Sequence, residues 1–172
     1  MLIDVRRNPN GPVHSGLLSY HNLTIPCSLG RSGITAFKRE GDGATPFGDF
    51  SLLYGYYRAD RNRLAPTQIP LFQITEGSGW CDEPTDPNYN AFVDLPYPKS
   101  HETMMRDDRL YDVCLVLDYN IEPKSRFMGS AIFFHLTRAD LGPTEGCVAI
   151  DPEHMRKLLP KLTVDTVMRV HI

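Results

Sequence analysis

The sequence predicts a mostly β domain with one helix, and three observations carry that prediction. Short runs rich in β-branched and aromatic residues recur along the chain, bounded by Gly, Pro, Asn or Asp. With 14 Pro and 13 Gly among 172 residues, few uninterrupted stretches remain for long helices. One segment alone combines a cap, an early proline and apolar residues at helical spacing. The length suits a single domain, 1–172, and leaves little room for two independent cores.

The strand-like runs begin with Leu23 to Cys27, followed by Phe50 to Tyr57 and Pro70 to Thr75. Within Val113 to Tyr119, the stretch Val113-Cys114-Leu115-Val116-Leu117 is continuously apolar and predicts a central strand covered on both faces. Ser130 to Leu136 reads the same way, and Val164 to Ile172 closes the series. In the helix, Asp151 can cap the first turn, Pro152 fits it, and Glu153 complements the positive end of the dipole. Met155, Leu158, Leu159 and Leu162 then follow at i, i+3, i+4 and i+7, and Pro160 is expected to distort or end the last turn. Ser100 to Arg109 is expected to hold a turn or two of helix at most. Two stretches read as loops. Glu76 to Lys99 carries the only Trp and four prolines; Arg39 to Gly48 is Gly-rich but lacks the G-x-x-x-x-G-K-[ST] arrangement of a phosphate cradle.

Composition narrows the function. Net charge is −3, so the basic excess that drives nucleic-acid binding is absent. Two local basic clusters, Arg58 with Arg61 and Arg63, and Arg31 with Lys38 and Arg39, suit an anionic small ligand better than a duplex, or else are solvated faces. No apolar run approaches the roughly 18 residues of a transmembrane helix. Cysteines stand at 27, 81, 114 and 147, with no C-x-x-C pair for zinc and too sparse for a disulfide scaffold. The N-terminus, Met1 to Arg7, lacks the apolar region of a secretory leader, which fits a cytosolic protein or one whose leader is removed.

Two residues stand out for chemistry. Cys147 follows the turn Pro143-Thr144-Glu145-Gly146 and precedes the strand-like Val148-Ala149-Ile150, where a thiol is presented beside backbone N–H groups that can face an oxyanion. His135 ends the apolar run Ile132-Phe133-Phe134, twelve positions earlier. A strand ending in His and another beginning with Cys can set nucleophile and base side by side for thiol acyl transfer. Alone, each residue is more often a plain core residue than a catalytic one. His101-Glu102 starts like H-E-x-x-H, but Met105 stands where the second His is required. No G-x-S-x-G elbow is present; Gly77-Ser78-Gly79 lacks the spacers.

Between roughly residues 27 and 151 the chain resembles the YkuD-like L,D-transpeptidases of bacterial cell walls, in particular a compact branch of them. The stretches that carry the resemblance are Gly41-Asp42-Gly43-Ala44-Thr45-Pro46-Phe47-Gly48-Asp49-Phe50, Ile132-Phe133-Phe134-His135 and Thr144-Glu145-Gly146-Cys147-Val148, in the family's order. Weaker echoes are Gly79-Trp80-Cys81-Asp82-Glu83-Pro84 and Ser100-His101-Glu102. The resemblance implies a β-sandwich-like domain with the helix packed on one side. It assigns Cys147 as nucleophile, His135 as its base, and Gly146 with Cys147 as donors of oxyanion N–H groups. Glu145 stands where the family usually has His, and Ala149 where it has Arg or Asn; these departures leave the Cys–His pair intact and allow a different peptide or cross-link.

The activity so implied is acyl exchange on peptidoglycan stem peptides through a thioester, with no metal or organic cofactor and with covalent inhibition by carbapenems. A periplasmic or cell-envelope location follows from the same resemblance. A thiolate beside an imidazolium would react near neutral pH. Arg58 and Arg61 are candidate partners for substrate carboxylates, with Trp80, His101, Thr144 and Glu145 as further candidate substrate contacts. Two rival readings stand: a wall hydrolase using the same Cys–His site, and a non-catalytic wall-binding module, against which the retention of both Cys147 and His135 argues.

Overall fold

The computed structural model describes all 172 residues. The chain opens with seven strands: β1 (Leu2–Arg7), β2 (Ser15–Tyr20), β3 (Leu23–Ser28), β4 (Ile34–Thr35), β5 (Thr45–Pro46), β6 (Gly48–Tyr57) and β7 (Leu71–Gln73). Then come β8 (Ser78–Cys81), β9 (Ala91–Asp94), β10 (His101–Thr103), β11 (Val113–Leu117), β12 (Phe133–Leu136) and β13 (Val148–Ile150). Helix α1 (Pro152–Leu158) and strand β14 (Val167–Val170) finish the chain. No helix is long and apolar enough to cross a membrane.

The main sheet runs β11-β12-β13-β3-β2-β1-β14-β6-β7, and β6 also pairs with β11, so the sheet closes on itself with β7 branching from β6. Closure depends on β6, the longest strand. Gly48 to Ser51 pair with β14, whereas the later residues pair with β11. Between these halves the β6–β11 register slips, with Val116 opposite Tyr54 but Leu117 opposite Leu52. The extra residue bends the strand, as bulges at sheet corners do.

Alternation on β11 and β12 explains why both read as continuously apolar. Val113, Leu115 and Leu117, with Ile132, Phe134 and Leu136, point into the large core inside the closed sheet. Cys114, Val116 and Phe133 point outward into a second apolar layer with Trp80, Met104 and Tyr111. A three-stranded sheet, β10-β8-β9, contributes to that outer layer. Val113–Leu117 is therefore covered on both faces, as the sequence predicts. Asp151 caps α1, its carboxylate accepting from the Glu153 N–H at 2.7 Å, and Met155, Leu158, Leu159 and Leu162 bury into the large core. Each such side chain contributes about 1.5–3 kcal/mol. Pro160 falls in a single 3-10 turn that ends the helix.

The structure departs from the sequence reading in three places. Glu76 to Lys99 is not all loop: it holds β8 and β9, joined as neighbours. Ser100 to Arg109 forms no helix, because His101 to Thr103 take up the free edge of β8. Strands β1 and β2 lie outside the runs that the sequence singles out. In β1 only Ile3 and Val5 are buried, an alternation shorter than the apolar runs elsewhere.

Candidate active site

Parallel pairing of β12 with β13 sets the site. His135 lies opposite Ala149 and Phe134 opposite Val148, so Cys147, one residue ahead of β13, comes beside Phe133. Phe133, His135 and Cys147 thus share the outward face, since side chains two apart on a strand point the same way. The Cys147 Sγ accepts from the Phe133 N–H at 3.3 Å and donates to the Ala131 carbonyl at 3.2 Å. Ala131 has φ +51°, a left-handed conformation rare for a residue with a Cβ. Its N–H donates to the Asn90 side-chain carbonyl, which also accepts from the Trp80 indole N–H, both at 2.9 Å. Trp80, 1% exposed, therefore supports the strand that receives the thiol instead of lining the cleft.

The turn before Cys147 is held by hydroxyl groups. Thr144 Oγ1 donates to the Cys147 carbonyl at 2.7 Å and accepts from the Gly146 N–H at 3.2 Å. The Thr144 backbone is clamped between the Leu29 carbonyl and the Arg31 N–H. Glycine is required at 146: φ is +142°, and a Cβ would stand 2.9 Å from the Ala44 carbonyl. With the Gly146 N–H spent on Thr144, only the Cys147 N–H of the two expected oxyanion donors is free of hydrogen bonds. Glu145 is exposed at the rim of the cleft described below and pairs with Arg31 at 3.1 Å.

A cleft of about 370 Å3 opens over these residues, lined by Lys38, Glu102, Tyr111, His135, Thr144 and Cys147 among others. The His135 Nδ1 donates to the Leu136 carbonyl at 2.7 Å, which fixes the proton there and leaves Nε2 as the acceptor. The Tyr111 ring stands edge-on to the imidazole, centroids 5.2 Å apart, and its hydroxyl donates to Glu102. Arg106 lies over the other side of that ring. No hydrogen bond joins Cys147 to His135, because the thiol is engaged with β12 backbone.

Electrostatics differ from the ion pair that the sequence suggests. Burial pushes the Cys147 thiol up to about 12, with the Glu102 charge adding to the effect; the Phe133 N–H, Lys38 and Arg106 oppose it. Burial likewise pulls His135 down to about 4. Both groups rest neutral at pH 7, since neither charge is solvated. All four cysteines are free and buried, but Cys147 alone opens on the cleft. Removing the Glu102 charge is expected to ease ionisation of the thiol. In Glu102→Gln the rate of Cys147 labelling by iodoacetamide should rise at a lower pH than in wild type. An unmoved pH profile would show that the carboxylate does not act on the thiol.

Arg58 and Arg61 are corrected by their surroundings. Arg58, 5% exposed, holds Asp60 through Nε and Nη2 at 2.8 and 2.7 Å and the Arg106 carbonyl through Nη1. Arg61 pairs with Asp112 at 3.1 Å and donates to the same carbonyl. Neither lines the cleft, and their donors are committed to tying β6 to the loop before β11. His101 also lies elsewhere, its Nδ1 donating to the Lys99 carbonyl in a shallow hollow beside Tyr97. Its neighbour Glu102 faces the cleft instead, as alternation on β10 requires. Sequence reading missed Glu102, Arg106 and Tyr111 as site residues. The signal for Glu102, a strand pairing with β8, is tertiary.

Comparison with known proteins gives three findings. The model of the YkuD family, the L,D-transpeptidase catalytic domain, matches residues 19–172. No curated protein matches the sequence. Among solved structures the chain is similar to L,D-transpeptidase 1 of Mycobacterium tuberculosis, at 12% identity and a TM-score of 0.41. That match covers 98% of this chain and 61% of the other, so the chain spans about three fifths of its neighbour's length.

Proposed function

The chain belongs to the L,D-transpeptidase catalytic domain family, and from that premise we propose that it exchanges acyl groups between peptidoglycan stem peptides, with Cys147 as nucleophile. The observation that carries this reading is the placement of Cys147. It is the one thiol on the cleft, it shares a strand face with His135, and its own N–H is uncommitted.

The chemistry follows from these atoms. A stem peptide in the cleft displaces the thiol from the Ala131 carbonyl, and the S–H proton passes to His135 Nε2. The sulfur attacks the donor carbonyl carbon while the carbonyl electron pair moves to oxygen, next to the Cys147 N–H. Collapse expels the downstream residue as an amine, which takes the proton from the imidazolium, and a thioester remains. The side-chain amine of a second stem then attacks the thioester and gives its proton to His135. The new amide forms and the thiol leaves protonated. Because thiol and imidazole rest neutral, the proton transfer takes place as bound substrate fixes the pair and the negative charge moves on to the carbonyl oxygen. A substrate of this kind lies in the cell envelope.

Intact-mass analysis of products from a purified disaccharide-tetrapeptide tests the reading. Cross-linked dimers are expected. Trimmed monomers alone would assign the site to hydrolysis, with water in place of the amine, and an unchanged substrate would refute both.

A further inference from the structure

Resting on Cys147 as nucleophile, we infer that Lys38 is a catalytic residue: its buried ammonium, together with the Cys147 N–H, holds the oxyanion that forms on the attacked carbonyl. Lys38 is 4% exposed, an unusual place for a lysine, and yet it lines the cleft. Two of its three protons have partners. Nζ donates to Asp42 Oδ1 at 2.5 Å and to the Arg39 carbonyl at 3.0 Å. The third is uncommitted.

Two glycines mark where the lysine lies. Nζ lies 3.6 Å from where a Cβ on Gly146 would stand, directly beside the turn that presents Cys147. The aliphatic stem passes Gly129, where a Cβ would come within 3.0 Å of Cε. At Gly129 a side chain would crowd the lysine stem, and at Gly146 Nζ is in ordinary contact distance of the turn. Asp42 is itself held rigidly, accepting from the Arg39 and Ala44 N–H groups at 2.7 and 2.8 Å. The ammonium is therefore oriented before any substrate arrives, which is what makes a donor effective in a transition state.

The site also lacks a second oxyanion donor without it. Gly146 has given its N–H to Thr144, leaving one backbone N–H at the position where the carbonyl oxygen becomes negative. Arg106, another cation of the cleft, is held by Asp108 through both Nε and Nη2. As sulfur bonds to carbon, the carbonyl π pair becomes the oxyanion lone pair; the third Lys38 proton hydrogen-bonds to it and stays on nitrogen. When the intermediate collapses, the pair reforms the C=O bond of the thioester.

Two reactions of the same thiol separate this role from a structural one. Acylation by a disaccharide-tetrapeptide passes through an oxyanion. Alkylation by iodoacetamide displaces iodide at a saturated carbon and forms none. In Lys38→Met, single-turnover acylation read by intact mass should fall by about 10²–10³-fold, with alkylation at high pH, where the thiol is ionised, close to wild type. Lys38→Arg should recover part of the acylation rate. Should Lys38→Met fail to fold, Lys38→Gln, which keeps N–H donors for the Arg39 carbonyl and Asp42, is expected to show the same split. Acylation unchanged, or both rates falling together, overturns the inference. A wild-type protein that alkylates at Cys147 but never acylates refutes the underlying reading instead, and the inference with it.

Discussion

Cys147→Ala is expected to form no acyl-enzyme with a donor stem peptide or a carbapenem, a loss complete within detection. Cys27 and Cys114 point into apolar layers, and Cys81 is fully buried in β8, so none of them can replace the sulfur in the cleft. Burial holds Cys27 up at about 12 and raises Cys114 well above its ordinary value. Peptide mapping of wild-type protein should accordingly find the adduct on the peptide containing Cys147. Because its thiol is also raised by burial, labelling by iodoacetamide without substrate should be slow at pH 7 and climb steeply with pH. A Cys147→Ala protein that still cross-links or trims stem peptides would sink every reading that relies on this thiol.

His135→Ala should lower acylation near pH 7 by about 10²–10⁴-fold, the usual worth of a positioned base, with partial recovery at high pH where hydroxide ionises the thiol. The same residue has a signature in stability. Its folded value is pulled down to about 4 by burial, below the ordinary 6.5, so the unfolded chain binds the extra proton between those values. Stability contributed by neutral His135 is therefore present above pH 6.5 and is lost as pH falls toward 4. The loss amounts to about 3 kcal/mol at the acid end. Urea unfolding from pH 7 to pH 4 should show this slope in wild type and a shallower one in His135→Asn. Parallel slopes would mean that the imidazole is not buried neutral.

Lys38 and Glu102 place opposite charges in one cleft, and their expected effects oppose each other in kind. Glu102 acts on the resting thiol and holds it protonated. Lys38 eases that ionisation in the resting site, and in the proposed role it acts again once charge has moved to the substrate oxygen. On the proposed function, a cleft so arranged would keep Cys147 protonated when empty and favour negative charge on a bound carbonyl.

What the sequence determined by itself was local or strongly patterned. The helix was legible because Asp151, Pro152 and the spacing from Met155 to Leu162 report on one turn after another. β11 and β12 were legible because burial on both faces leaves no polar position in Val113 to Leu117. The Gly-Cys turn and the His at the end of an apolar run named the central pair. Only the tertiary structure decided the rest. It closed the sheet through β6, made β10 a strand by pairing it with β8, and thereby brought Glu102 to the cleft, as the same packing brought Tyr111. It committed Arg58 and Arg61 to Asp60 and Asp112, although as a basic cluster they suggested an anionic ligand. It also left both Cys147 and His135 uncharged, since residue type gives a reference pKa but burial, which depends on everything packed around a group, sets the actual one.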